Sequence, residues 1–156
     1  MKRTAVFPGS FDPMTRGHED IVLRAIPIFD KIIVAVGNNS EKKSMFNIED
    51  RMAWASIVFK DHPSIEVQKF TGLTIDFCHK VNANYLLRGL RTSADFEFER
   101  SIGQMNKNLN EKIETVFLLT SAKYTALNSS IVRDILRHGG NVDQFIPLKL
   151  KGKVHR

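Results

Sequence analysis

The run Lys31-Ile32-Ile33-Val34-Ala35-Val36 constrains the fold more than any other stretch of the chain. Its apolar residues are consecutive and mostly β-branched, so a strand made from it has no polar face to turn to water. Such a strand must be covered on both sides. That is the condition of a parallel sheet, whose crossover connections lay helices over the two faces.

The rest of the chain supplies the other strands and the helices between them. Thr4-Ala5-Val6-Phe7 is a short β-type run. From His18 onward, Ile21, Val22, Ala25, Ile26 and Phe29 recur at helical spacing, with Glu19 and Asp20 in the favourable first turn. Gly37 to Ser44 is polar and basic, a loop. Asn47 reads as an N-cap, with Asp50 at the capping-box position, ahead of a helix to about Phe59. Ile65 to Phe70 alternates as a less buried strand, Thr71-Gly72 breaks it, and a helix is expected from about Thr74 to Val81. Tyr85-Leu86-Leu87 is a short strand ending in Arg88-Gly89-Leu90-Arg91, and Ser93 caps a longer helix through Phe96, Phe98, Ile102 and Met105. Thr115 to Leu119 is the fifth strand. Asn128 or Ser129 caps a last helix through Ile131, Ile135 and Leu136, closed by Gly139-Gly140. The remainder is short, polar and interrupted by Pro147, and its Lys149, Lys151, Lys153 and Arg156 read as a solvated end.

Strands alternating with helices in this way predict an α/β fold: a doubly wound five-stranded parallel sheet with helices on both faces. At 156 residues one domain spanning 1–156 is expected, with a core large enough to need no disulfide or structural metal. The single cysteine, Cys78, lies in the apolar pattern Ile75, Phe77, Cys78, Val81 and reads as a packed thiol, in keeping with a reducing, cytoplasmic setting. No apolar run is long enough to span a bilayer, and no signal-peptide core is present at the start, so no membrane partner is expected. The formal net charge of +6 suits phosphorylated ligands and nucleic acid alike.

In a sheet of this kind ligands bind beyond the C-terminal ends of the strands, near the switch point of the strand order. The polar clusters of this chain lie at such places. Pro8-Gly9-Ser10-Phe11-Asp12-Pro13-Met14-Thr15-Arg16-Gly17-His18 leads from the first strand to a helix N-terminus. Free N–H groups and the helix dipole there suit an anion, and Gly9 and Gly17 leave room for close backbone approach. Neither a GxGxxG dinucleotide loop nor a GxxxxGK[ST] P-loop occurs. Arg88 and Arg91 flank Gly89-Leu90 after a buried strand, where guanidinium groups can match phosphate oxygens bidentately. Glu99 lies one turn beyond Asp95 on the following helix, whereas Glu97 belongs to a solvated face. Lys42 and Lys43 sit in the loop after the second strand. Tyr124 to Ser130 offers hydroxyls and N–H groups at another helix start, with Arg133 one turn on.

Thr15-Arg16-Gly17-His18 resembles the (H/T)xGH motif of the nucleotidyltransferase superfamily, with Gly9-Ser10-Phe11-Asp12-Pro13 as its upstream partner. Together with Lys42-Lys43, Met45-Phe46, Gly72-Leu73, Asp76-Phe77, Ser129-Ser130 and Val132-Arg133, the block from Leu87-Arg88-Gly89-Leu90-Arg91 to Ala94-Asp95-Phe96-Glu97-Phe98-Glu99 is similar to the phosphopantetheine adenylyltransferases. The likeness runs from Ala5 to about Pro147 and implies a Rossmann-like nucleotidyltransferase fold. It implies reversible transfer of the adenylyl group of ATP to 4′-phosphopantetheine, giving dephospho-coenzyme A and pyrophosphate, with Mg²⁺ and no covalent enzyme intermediate.

By the same resemblance His18 stabilises the transition state, and Ser10, Lys42, Thr74 and Arg88 hold 4′-phosphopantetheine. ATP is expected at Ser10, Phe11, His18, Gly89, Leu90, Arg91, Glu99, Tyr124, Thr125, Ala126, Leu127, Asn128, Ser129 and Ser130. No protein ligand to the metal is expected, since no carboxylate cluster stands ready to cage it. A homohexamer, and coenzyme A as an inhibitor in the active site, are also implied. Ser10, Thr74, Ala126 and Asn128 depart from the residues usual in the family. The same residues also admit a cytidylyltransferase for a polyol phosphate or a nicotinate mononucleotide adenylyltransferase, and, from a different class, a basic nucleic-acid-binding domain. The last would interleave aromatic and basic residues on an exposed surface, whereas most Phe residues here stand at core-like spacing, so no nucleic acid is expected.

Overall fold

A computed structural model describes residues 1–39 and 41–156; Ser40, in the predicted loop after the second strand, lies outside the described residues. The element order is β1 (Thr4–Gly9), α1 (Arg16–Ala25), β2 (Lys31–Gly37), α2 (Ile48–Phe59), β3 (Ile65–Phe70), α3 (Thr74–Lys80), β4 (Tyr85–Leu90), α4 (Ser93–Leu109), β5 (Glu114–Leu119) and α5 (Ser129–Arg137). Short 3₁₀ turns cover Ala122–Tyr124 and Leu148–Leu150.

The strands form one parallel sheet in the order β3-β2-β1-β4-β5. β2 shows why its sequence is apolar throughout. Ile32, Val34 and Val36 face one core with α1, α2, α5 and the C-terminal segment, while Ile33 and Ala35 face a second core with Ile75, Phe77 and Cys78 of α3. All five are wholly buried. β3, at the sheet edge, is the less buried strand expected, but its alternation breaks at Gln68: only Glu66 and Lys69 are exposed and the rest are half-buried. Cys78 is buried, and desolvation pushes its thiol up to about 12, so it stays protonated.

Several boundaries differ from those expected. α1 begins at Arg16, two residues before His18, because Thr15 is its N-cap: the Thr15 hydroxyl accepts the His18 N–H at 3.3 Å. β4 does not end at Leu87; it runs on through Arg88-Gly89-Leu90, paired with β5 up to Leu90–Leu119. Gly89 reads as a loop residue, but the sheet needs it for another reason. A Cβ there would come within 3.1 Å of Ile21, where α1 packs on the strand. α4 is capped by Thr92, whose side chain accepts the Asp95 N–H at 3.2 Å, and Ser93 is its first residue. α3 ends at Lys80, with Val81 beyond it. Asn47 caps α2 by accepting the Asp50 N–H at 2.7 Å, while the reciprocal bond of a capping box is absent among the described residues.

Two larger differences concern packing. The apolar spacing of Phe96, Phe98, Ile102 and Met105 reads as a core face, yet none of the α4 residues is buried, and Phe98 is 68% and Met105 61% exposed. The tail is the converse. Val142, Ile146, Leu150 and Val154 join the core beside α2 and α5, and Lys149 reaches back to the Val58 carbonyl (3.1 Å) and to Asp61 (2.7 Å). These residues stand four apart, a helical spacing, but Pro147 and the polar residues between them interrupt it and the segment folds as short turns rather than as an α-helix, so the spacing marks no element.

Candidate active site

β1 and β2 stay paired to Gly9–Val36, but β1 and β4 pair only at Ala5–Tyr85 and Val6–Leu86. Beyond that point they part. This is where the chain, having run outward from β1 to β3, crosses back to the other side of β1, the switch point at which α/β sheets open a crevice. Two recesses meet there. The first, of about 270 Å³, is lined by Phe11, Gly17, His18, Arg91, Tyr124 and Asn128 among others. The second, of about 380 Å³, is lined by Ser10, Asn38, Lys42, Gly72 and Thr74. Pro8, Gly9 and Arg88 line both.

His18 sits at the third position of α1 in a capping box with Thr15. Its Nδ1 lies 3.0 Å from the Thr15 backbone N–H, which can only donate, so Nδ1 accepts. The proton of the neutral imidazole is therefore on Nε2. Burial, then the charges of Arg91 and Arg88, hold the imidazole down to about 4 from its usual 6.5. At neutral pH the ring is an uncharged Nε2–H donor. Phe11 supports it from behind, 3% exposed, with its ring centroid 5.1 Å away at 86°. Gly9 makes that position possible, because a Cβ on it would lie 2.9 to 3.2 Å from three atoms of the Phe11 ring. Gly17 is less demanding; a Cβ there would meet ordinary contacts at 3.5 and 3.7 Å.

The two arginines are each held by a carboxylate of α4. Arg88 donates to both oxygens of Glu99, from Nε at 2.9 Å and Nη2 at 2.6 Å, and from Nη1 to the Pro8 carbonyl at 3.1 Å. It thus spans the gap where β1 and β4 part. Arg91 donates to Asp95 from Nε at 3.1 Å and from its backbone N–H at 3.1 Å. Burial works against the Asp95 carboxylate, but the hydrogen bonds from Arg91 outweigh it and hold its pKa below the usual value. Asp95 and Glu99, one turn apart, face the cleft, while Glu97 pairs outward with Arg100.

Other proteins resemble this chain in sequence and, separately, in fold. Residues 6–135 match the cytidylyltransferase-like family. The phosphopantetheine adenylyltransferase of Flavobacterium psychrophilum is 53% identical over 97% of this chain and 99% of its own. That of Flavobacterium johnsoniae is 54% identical over 93% and 95%. The chain belongs to the phosphopantetheine adenylyltransferases. It is therefore an enzyme of the nucleotidyltransferase class. A solved structure provisionally assigned as a nicotinate-nucleotide adenylyltransferase of Vibrio parahaemolyticus superposes with a TM-score of 0.66 over 94% of each chain at 18% identity, a likeness of fold alone.

The cleft draws together residues far apart in sequence. Of those expected from resemblance, Phe11, His18, Gly89, Arg91, Glu99, Tyr124, Leu127 and Asn128 line the first recess, and Ser10, Lys42 and Thr74 the second. Others stand elsewhere. Leu90 is buried in β4, and Thr125 and Ala126 are exposed outside the lining. Ser129 donates to the Pro13 carbonyl at 2.9 Å, and Ser130 accepts from Arg133 at 3.1 Å. Phe11 turns its ring into the core behind His18, so its side chain serves the histidine. Lys43 points to a separate surface recess with Arg137, His155 and Arg156.

Sequence reasoning quotes Asp12 and Arg16 within the opening run without giving either a role, and it passes over Arg51 and Thr120. Thr120 lines the first recess, and Arg16 donates to the Ile146 carbonyl at 2.8 Å, tying α1 to the C-terminal segment. Arg51 lay on a helix otherwise read for its cap, and a charged residue on a helix is by default a solvated one. Its burial depends on carbonyls brought from three separate segments, which leaves no local signal.

Proposed function

We propose that this enzyme transfers the adenylyl group of ATP to 4′-phosphopantetheine, reversibly, giving dephospho-coenzyme A and pyrophosphate in coenzyme A biosynthesis. The observation that carries this reading is the pair of recesses sharing the Pro8–Gly9 wall and Arg88. Joining two phosphorylated substrates calls for two pockets that open on one another with counter-charge at the junction. The relatives named as phosphopantetheine adenylyltransferases supply the substrates.

In this reading ATP occupies the His18–Arg91–Asn128 recess, and 4′-phosphopantetheine the Ser10–Lys42–Thr74 recess. An oxygen of the pantetheine phosphate attacks the α-phosphorus of ATP. The bond from that phosphorus to the β-phosphate bridging oxygen breaks, and pyrophosphate leaves with the electron pair. No side chain is adenylylated on the way. The neutral Nε2–H of His18 donates to the α-phosphate as its charge rises, and it has no proton to take up or give away. Arg88 bears on both substrates from the junction, and Arg91 bears on the nucleotide. Substrate phosphates have to compete with Glu99 and Asp95 for those guanidinium groups, or bind their remaining N–H groups.

Magnesium fits this cleft as a companion of the nucleotide. Asp95 and Glu99 are engaged by arginines, and among the described residues no group of three or more His, Cys, Asp or Glu is arranged to hold an ion. The ion would ride on phosphate oxygens and water, with Arg88 and Arg91 holding the phosphates, and would supply charge neutralisation. Dephospho-coenzyme A and coenzyme A would span both recesses, the latter as an inhibitor. The exposed apolar face of α4 supports self-association, which in this reading is the homohexamer that the resemblance implies, as it does a cytoplasmic enzyme. Among the described residues no helix is long and apolar enough to cross a membrane.

A pyrophosphate-release panel tests the proposal by crossing ATP and CTP with 4′-phosphopantetheine, nicotinate mononucleotide and a polyol phosphate. Release is expected with ATP and 4′-phosphopantetheine. Its absence there, with release from another pair, would move the chain to that activity.

A further inference from the structure

We infer that Asp12 and Arg51, neither of which lines the cleft, are positioning residues that hold the Lys42 loop in register with the His18 loop. The inference rests on the reading of Lys42 as a phosphate-binding residue given above. Lys42 is exposed and its side chain makes no ion pair among the described residues; within its own loop it is held by the bond from its backbone N–H to the Asn39 carbonyl at 3.3 Å. Its loop is pinned at both ends. At the start, Arg51 donates from Nη1 to the Gly37 carbonyl at 2.9 Å. At the end, the Asp12 carboxylate accepts the Met45 N–H at 2.8 Å on one oxygen and the Phe46 N–H at 2.9 Å on the other, and Arg51 Nε donates to the Phe46 carbonyl at 3.1 Å.

Both anchors reach the loop that leads to His18, Asp12 as part of it and Arg51 from α2. Asp12 follows Phe11 directly, and Arg51 Nη1 also donates to the Ser10 carbonyl at 2.6 Å. Arg133 fixes Asp12 in turn, donating to its carbonyl at 2.8 Å with its Nη1 4.0 Å from the carboxylate. Asp12 is 5% and Arg51 3% exposed, and the two do not pair directly. Burying a guanidinium costs several kcal/mol, and an aliphatic side chain would fill the same space on α2 without that cost. What only the charged pair can do is bind the ends of β1 and β2 and the start of α2 to one another, so that Lys42 stays at a set distance from Ser10 and Arg88. Local rigidity of this kind, supplied by residues one layer behind a site, governs how well its groups meet a substrate.

The test is steady-state kinetics on Asp12→Asn and Arg51→Lys. Each should raise KM for 4′-phosphopantetheine about tenfold or more, the equivalent of one charge-assisted hydrogen bond, and leave KM for ATP unchanged. In combination with Lys42→Ala, Asp12→Asn should add nothing further, because it acts through that lysine. Equal rises in both KM values, or multiplying effects in the double variant, would reduce the pair to a general structural role. Should either variant fail to fold, hydrogen exchange in the wild-type enzyme decides. The Met45 and Phe46 amides should be protected without ligand, and exchange at open-chain rates would overturn the inference. A wild-type enzyme inert toward ATP plus 4′-phosphopantetheine would sink the proposed function, while the exchange result would still judge the clamp.

Discussion

His18 owes its chemical state to two contacts of different range. The Thr15 N–H, three residues away, fixes the tautomer; Arg88 and Arg91, at the far end of β4, add to burial in lowering the pKa to about 4. A ¹⁵N-detected titration should therefore find Nε2 protonated and a midpoint near 4 rather than 6.5. The same shift makes the ligand-free fold acid-sensitive. The unfolded imidazole takes its proton first as pH falls, so stability is complete above about 6.5 and declines from there toward about 4. Acid unfolding of His18→Gln should lack that component. His18→Ala should lower kcat by roughly 10²–10³, the cost of one preorganised donor of about 2.7–4 kcal/mol. Unchanged turnover in that variant would end the role assigned to it.

At the scale of elements, the site depends on how strands and helices begin and end. α1, α4 and α5 each start with a side-chain cap, and each cap stands at the cleft or beside it. Asn128 does two things at once: it caps α5 by accepting the Ile131 N–H at 2.9 Å, and it lines the first recess. Asn128→Ala should cost about 1 kcal/mol in urea unfolding, and Asn128→Ser, which keeps an acceptor, should recover most of it. The extension of β4 through Leu90 has a similar double effect. It carries Arg88 across to Pro8 and brings Gly89 under Ile21, so strand continuation is what aims the guanidinium.

For the whole molecule, the distribution of apolar surface makes two demands. The C-terminal segment closes the core over α2 and α5, with Leu150 wholly buried. Leu150→Ala should lower unfolding stability by about 2–5 kcal/mol, although the residue belongs to no strand or α-helix. The face of α4, conversely, leaves Phe98, Met105 and Leu109 more than half exposed. Apolar groups gathered on one side of a helix in this way mark an association surface. Light scattering should report six chains, and Phe98→Glu with Met105→Glu should shift the population to smaller species; a wild-type monomer would remove the hexamer.

The amino-acid sequence by itself determined the class of fold, because a strand as apolar as Ile32–Val36 is stable only between two layers, and periodicity distinguishes the helices that provide them. It also marked the polar clusters at strand ends and, through the runs Thr15–His18 and Arg88–Glu99, the family. What lies beyond local spacing was decided in three dimensions. The opening between β1 and β4 follows from the order in which strands are laid down, to which no single segment testifies. Asp12 and Arg51 acquire their partners only when Ser10, Gly37 and Phe46 converge, and the α4 stripe could not be told from a core face because both have the same period. The neutral state of His18 is likewise a property of the assembled cleft, since burial and two distant guanidinium groups set it.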